Sequence, residues 1–317
     1  MAIDWARLVS DTLGQFTLPM LPPNIKFPAL PQVVTKFIQA SSDPEVEFRV
    51  LAKIIETDSG LTLELLKHVN SANYGLRTRV CSVQQSLSLL GLGPARNLLI
   101  TVGTKAAIQS RQSRLVNQNC FWVAALQKAI FAREIAGLLN TDKDIAFNGA
   151  LLQDFLLPVL TNELYEQYRN FVQNRDQVGL DIWNFEQATF GWDHSLAAAC
   201  LAKNWNFPDE IICCILFHHE GLEILSHPEL ARSSVAAVAL SALLPDQLRQ
   251  CEHGLEQLLE LENIWPAFNL REMAEIVDAK QAESGLGIRN EFSLSRECKV
   301  VFSQAPGKPC ANIAPVG

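Results

Sequence analysis

Apolar positions recur along this chain at intervals of three and four. In 46–57, VEFRVLAKIIET, the residues Val46, Val50, Leu51, Ile54 and Ile55 fall on one face of a helix. The stretch 60–69, GLTLELLKHV, continues in the same style, followed by 120–139, 144–157, 194–205, 209–218, 229–244, 246–262 and 270–282. Runs that alternate with period two between turn residues are nearly absent, apart from a short strand suggested at Lys299–Phe302. The pattern predicts an all-α protein.

Punctuation agrees with helices. Asp43-Pro44 resembles a helix start, because proline in a first turn lacks only an N–H that has no partner there. Asn206-Phe207-Pro208-Asp209-Glu210 makes a similar start, and Asp193 is placed to cap a helix opening at His194. Gly75, Gly191 and Gly221 each follow a helical run, where a residue tolerant of positive φ is useful. Five prolines in 17–31, TLPMLPPNIKFPALP, predict an extended arm. Residues 303–317 read as a loose tail, and the polar stretch within 103–118 marks a seam between two apolar blocks.

Composition narrows the function classes. Hydrophobic residues make up 48% and charged residues 19%, which fits a packed globular chain rather than a disordered one. The net charge of −8, with only a thin basic stretch around Arg111 and Arg114, argues against a nucleic-acid partner. No apolar run of about 18 residues and no basic-then-apolar leader occurs, so neither a membrane span nor a secretory signal is expected. The eight cysteines are scattered without a C-x-x-C pair, as suits reduced thiols in a cytoplasm rather than a disulfide framework or a zinc-thiolate site.

Several ordered pieces carry a resemblance. They are FPALPQVV (27–34), LAKIIETDSGLTLELLKHVNSANYG (51–75), CSVQQSLSLLGLGPARNLL (81–99), FW (121–122), GALLQDF (149–155), FGWDHSLAAACLAKNWNFPDEI (190–211) and FHHE (217–220). Together, over roughly 28–240, they resemble the HDOD family, bacterial signalling domains related to HD-type metal phosphohydrolases. Ser59 stands where that family usually has proline. The resemblance implies an all-α, multi-helix bundle. It places an N-terminal helix and Pro-rich arm at 1–26 and the HDOD domain at 27–245, in halves 27–112 and 118–245. Additional helices follow at 246–290, and a loose tail at 291–317.

HD-type hydrolases hold metal through histidines and carboxylates, which lower the pKa of bound water until hydroxide forms near neutral pH. The resemblance implies that this set is damaged here. Ala124 stands where the first His would be, the His-Asp doublet becomes Gln153-Asp154, and no acid occurs in 235–244. Leu157 replaces the Lys that active relatives tend to carry after the doublet. Asp154, His194, His218 and His219 survive as residual ligands for a divalent Fe, Mn or Zn, although no cofactor is expected. Without metal, one of His218 and His219 would pack at a helix end and the other face solvent. A pairing of Asp154 with His194 or His218 would then offset the cost of burying its carboxylate.

Three other features have ordinary readings. His68, His227 and His253 are expected at surfaces or helix ends. The glycines at 91 and 93 make a helix–helix turn rather than a phosphate loop, and Asn70, Ser71 and Tyr74 serve a helix junction. The expected function is a non-catalytic signal-transduction module acting on signalling proteins. The alternatives are a metal-dependent phosphohydrolase acting on nucleotides or cyclic dinucleotides, and a nucleotide sensor that does not cleave. Apolar helices such as 229–244 leave room for a homo-oligomer.

Overall fold

The computed structural model describes residues 3–43, 45–71, 76–109, 113–283 and 293–304. Among them there is no strand, and no helix is long and apolar enough to cross a membrane. The chain divides into two compact units. One comprises Met1–Lys26, Gln112–Leu201 and Pro208–Gly317; the other comprises Phe27–Arg111 with Ala202–Phe207.

The chain opens with α1 (Trp5–Leu13), capped by Asp4, whose side chain accepts from the Arg7 N–H. A single 3-10 turn, Leu18–Met20, interrupts the proline-rich arm, which is otherwise irregular.

The unit from Phe27 holds α2 (Gln32–Ala40), α3 (Phe48–Ile55), α4 (Ser59–Val69), α5 (Val83–Leu90) and α6 (Leu92–Gln109). Leu51, Ile55, Leu61, Leu65 and Val69 are buried as the three- and four-residue spacing predicts, whereas Val50, expected on the same face, is exposed. Asp58 caps α4 and Ser82 caps α5. Asn70 ties the end of α4 to the following segment. Its Nδ2 donates to the carbonyls of Leu66 and Val80, and its Oδ1 accepts from the Val80 N–H, each at 2.8 Å. Gly91, at φ +80°, ends α5 and turns the chain into α6. Pro44, Tyr74 and Gly75 lie outside the described residues.

The larger unit continues with α7 (Gln118–Leu139), α8 (Lys143–Leu152), α9 (Leu157–Glu163), α10 (Tyr165–Val178) and α11 (Ile182–Phe190). Then come α12 (His194–Asn204), α13 (Asp209–Leu216), α14 (Ser234–Ala242), α15 (Gly254–Ile264), α16 (Leu270–Glu283) and α17 (Leu294–Gln304). All nine residues of α14 are buried, so this helix is enclosed on every side, and it packs against α7 and α8. Gly149 lets α8 approach closely: a Cβ there would lie 2.6 Å from Cys214 Cβ and 3.1 Å from Val238 Cγ2. α1 packs on α13.

Two expectations need correction at the C-terminal end. Lys299–Phe302 is helical, inside α17, and the stretch from 291 is not uniformly loose. Leu294, Cys298 and Val301, spaced by four and three, form a buried stripe, and α17 packs against α16. Asp278 of α16 anchors the start of α17. It accepts from Ser293 Oγ at 2.6 Å and from the N–H groups of Leu294 and Ser295.

Candidate functional site

The larger unit brings together all four residues that survive in the sequence. Asp154 lies in the turn between α8 and α9, His194 opens α12, and His218 and His219 follow α13 in a 3-10 segment spanning His218–Ser226. Asp142 starts α8 by accepting from the N–H groups of Asp144 and Ile145. Asp193 starts α12 by accepting from Leu196 N–H and Ser195 Oγ, the cap that the sequence suggests.

Asp154 is buried, with its two carboxylate oxygens facing different partners. Oδ1 lies 3.3 Å from His194 Nε2 and 3.2 Å from His218 Nε2. Both pairings that the sequence offers for this carboxylate are therefore present at ion-pair distance. Even so, Asp154 Oδ1 and His218 Nε2 have no partner in hydrogen-bonding geometry, although both are buried. His219 Nε2 lies 2.9 Å from His194 Nε2. His219 turns inward rather than to solvent, half-buried, its ring stacked on Trp183 with centroids 4.5 Å apart.

The far side of each imidazole is fixed. Glu186 of α11, fully buried, lies with Oε2 2.7 Å from His194 Nδ1 and also accepts from the His194 N–H. Its other oxygen accepts from Tyr168 Oη at 2.6 Å. His218 Nδ1 lies 2.7 Å from the Ile215 carbonyl. Because both partners are acceptors, the Nδ1 protons are held there and the Nε2 atoms point toward Asp154. Burial opposes charge on His194, but Glu186 and Asp154 prevail and lift its pKa to about 10. His219 is pushed well down by burial and by the neighbouring imidazoles, and so stays neutral.

The Oδ2 side is different. Lys128, buried on α7, places Nζ 3.0 Å from Asp154 Oδ2 and 2.8 Å from Asp246 Oδ2. Burial alone would favour a neutral amine, yet the two carboxylates raise the pKa of Lys128. Burial likewise works against the Asp154 carboxylate, and Lys128 holds it well below the usual carboxylate range. Gln153 Nε2 also donates to Asp154 Oδ2, at 3.2 Å. Stretch 235–244 has no acid, but Asp246 brings a carboxylate to the site just beyond it. Ala124 and Leu157, the positions where a first His and a Lys would be expected, line the same small pocket as Lys128, Asp154 and Asp246.

The donor set can be matched to the metal that an HD-like site implies. On the Oδ1 side, the ligand atoms of His194, His218 and His219 lie within 4.8 Å of one another, with Asp154 Oδ1 beside them. Three imidazoles and a carboxylate suit one borderline divalent ion, and Glu186 and the Ile215 carbonyl orient two of those imidazoles as supports of metal ligands do. Such an ion would lower the pKa of a bound water. On the Oδ2 side the residues do not fit a metal, because an ammonium stands between the carboxylates.

Lys128, Asp246, Glu186 and Tyr168 are absent from the residues the sequence singles out. Glu186 had one readable signal: a lone acid among aromatic residues, WNFEQATF, just ahead of the FGWDH piece. His68 and His253 are exposed and His227 is half-buried, at helix ends as expected.

The larger unit is thus all-α among its described residues and gathers three histidines beside a carboxylate. The chain belongs to the HDOD domain family, whose model matches residues 27–221. It is 26% identical, over 217 residues, to an uncharacterized protein of Treponema pallidum, a match that takes in 68% of this chain and 41% of that one. The chain thus corresponds to less than half of that relative's length. Among solved structures it is similar to an HDOD domain protein of unknown function from Geobacter sulfurreducens. The TM-score is 0.56 at 21% identity, over 94% of this chain and 95% of that one. It is also similar to a protein proposed to be a phosphohydrolase from Shewanella amazonensis, with TM-score 0.59 and 17% identity over 92% and 97%. At these identities the likeness is one of fold.

Proposed function

We propose that this HDOD protein is a non-catalytic regulatory module of signal transduction that works through protein–protein contact. The observation that supports the reading is the Lys128 ammonium between Asp154 and Asp246, where a metal-dependent hydrolase would need an exchangeable cation. Ala124 and Gln153 add to it, since neither offers an imidazole. An immobile cation can neutralise carboxylates but cannot carry a water to a phosphorus atom.

The competing reading is a hydrolase that runs on one metal. It draws on the convergence of His194, His218 and His219 beside Asp154 Oδ1. The two readings part in one experiment. The purified protein, loaded with Mn2+, Fe2+ or Zn2+, is assayed on a generic phosphodiester and on cyclic dinucleotides. We expect no turnover above the His218→Ala/His219→Ala double variant, and capture of a signalling protein from the native host. Turnover that the double variant abolishes would establish the hydrolase instead.

A further inference from the structure

We infer that the Lys128 side chain is a built-in cation occupying a hard-metal position between Asp154 and Asp246, and that removing its ammonium opens that position to a divalent ion. The inference rests on the proposed non-catalytic reading of this site and deepens it by naming what stands in the metal's place.

Three observations carry it. First, the oxygens that face Lys128 are arranged as a cation would need them. Asp154 Oδ2 and Asp246 Oδ2 lie 3.0 and 2.8 Å from one nitrogen, and both side chains are at most one-tenth exposed. Second, a third oxygen donor is in reserve. Gln250 is buried and lines the same pocket, its Nε2 donates to Asp246 Oδ2 at 2.8 Å, and its Oε1 has no partner. Third, the pocket has room for about one water beside the ammonium, between Ala124 and Leu157. Cutting Lys128 back to alanine would add the volume of three methylenes and the ammonium, and leave the two carboxylates without their shared counter-charge.

Two buried carboxylates deprived of the cation they share cannot both persist unneutralised, so the cavity will take up a proton or a cation. The donors on this side are all oxygen, which favours a hard ion such as Mn2+ or Mg2+ over Zn2+. This separates it from the imidazole-rich Oδ1 side, whose donors favour borderline metals. An alkylammonium ion small enough to enter would serve the same electrostatic purpose, because it restores the missing group without its tether.

The test uses the full chain and two variants, Lys128→Ala and Lys128→Gln, the second one atom shorter than lysine and uncharged, with an amide in place of the ammonium. Mn2+ binding is followed by calorimetry and metal analysis, and Tm is recorded with and without Mn2+ or ethylammonium. We expect each variant to bind about one Mn2+ more per chain than the wild type. We also expect a Tm lowered by the substitution and raised again by Mn2+ and by ethylammonium, with tetramethylammonium inert. Adding Asp246→Asn should abolish the extra ion. If a variant folds only when refolded with Mn2+ or ethylammonium, the inference stands. If folded variants gain no ion and no thermal rescue, or if neither additive restores folding, it is overturned. Hydrolysis by the wild type would refute the proposed function while leaving this outcome to be read independently, from binding alone.

Discussion

Glu186 fixes His194 from the side away from Asp154. Its two oxygens engage Tyr168 Oη, His194 Nδ1 and the His194 N–H, and it is wholly inaccessible to solvent. Glu186→Ala would strand a buried phenol and a buried imidazole, and removing one partner of a buried charged pair costs about 3–5 kcal/mol. We expect that loss in urea unfolding, with a smaller one for Glu186→Gln, which still accepts from one of the two. The four residues legible in the sequence were legible through resemblance, since each falls in a recognisable piece. Lys128 was not: it sits in AALQKAIFA as an ordinary helical lysine. Nothing local marks it as buried, because its partners lie 26 and 118 residues away along the chain.

At the scale of elements, the site depends on how closely three helices cross. Asp154 follows the end of α8, and Gly149 within that helix lies against Cys214 of α13 and Val238 of α14. A methyl group at 149 has to displace packed side chains, so Gly149→Ala is expected to cost about 1–3 kcal/mol, read as a lowered denaturation midpoint. The α16–α17 junction offers a pH-dependent counterpart. Burial raises the pKa of Asp278, but hydrogen bonds from Ser293 and Ser295 outweigh it and the net shift is downward. The stabilisation is therefore complete above the unfolded carboxylate value near pH ~4 and disappears as pH falls through the lower folded value. Amide exchange in α17 should accelerate there, and Asp278→Ala should bring the same acceleration at neutral pH at a cost of ~1 kcal/mol. The helix itself was readable in the spacing of Leu294, Cys298 and Val301. The short apolar run KVVF obscured it, since so brief a stretch satisfies strand and helix patterns alike.

At the scale of the whole molecule, fold class followed from periodicity because nearly every buried stripe has helical spacing. The grouping of segments into units did not follow from it, because periodicity says which face is buried and never against what. The opening helix shows the difference. α1 packs on α13, with the Trp5 carbonyl near Cys213 Sγ, 208 residues further along. The unit that contains the site is assembled from three separate stretches, whereas the other is a single run from Phe27 to Arg111 but for Ala202–Phe207. During synthesis, then, α1 emerges long before α13, the helix it packs against. Its apolar face, with Leu8, Val9 and Leu13, must wait for a partner that the ribosome makes some 200 residues later. For a chain translated at roughly 5–20 residues per second, that is an interval of tens of seconds at the slow end, time in which a chaperone has an exposed helix to hold.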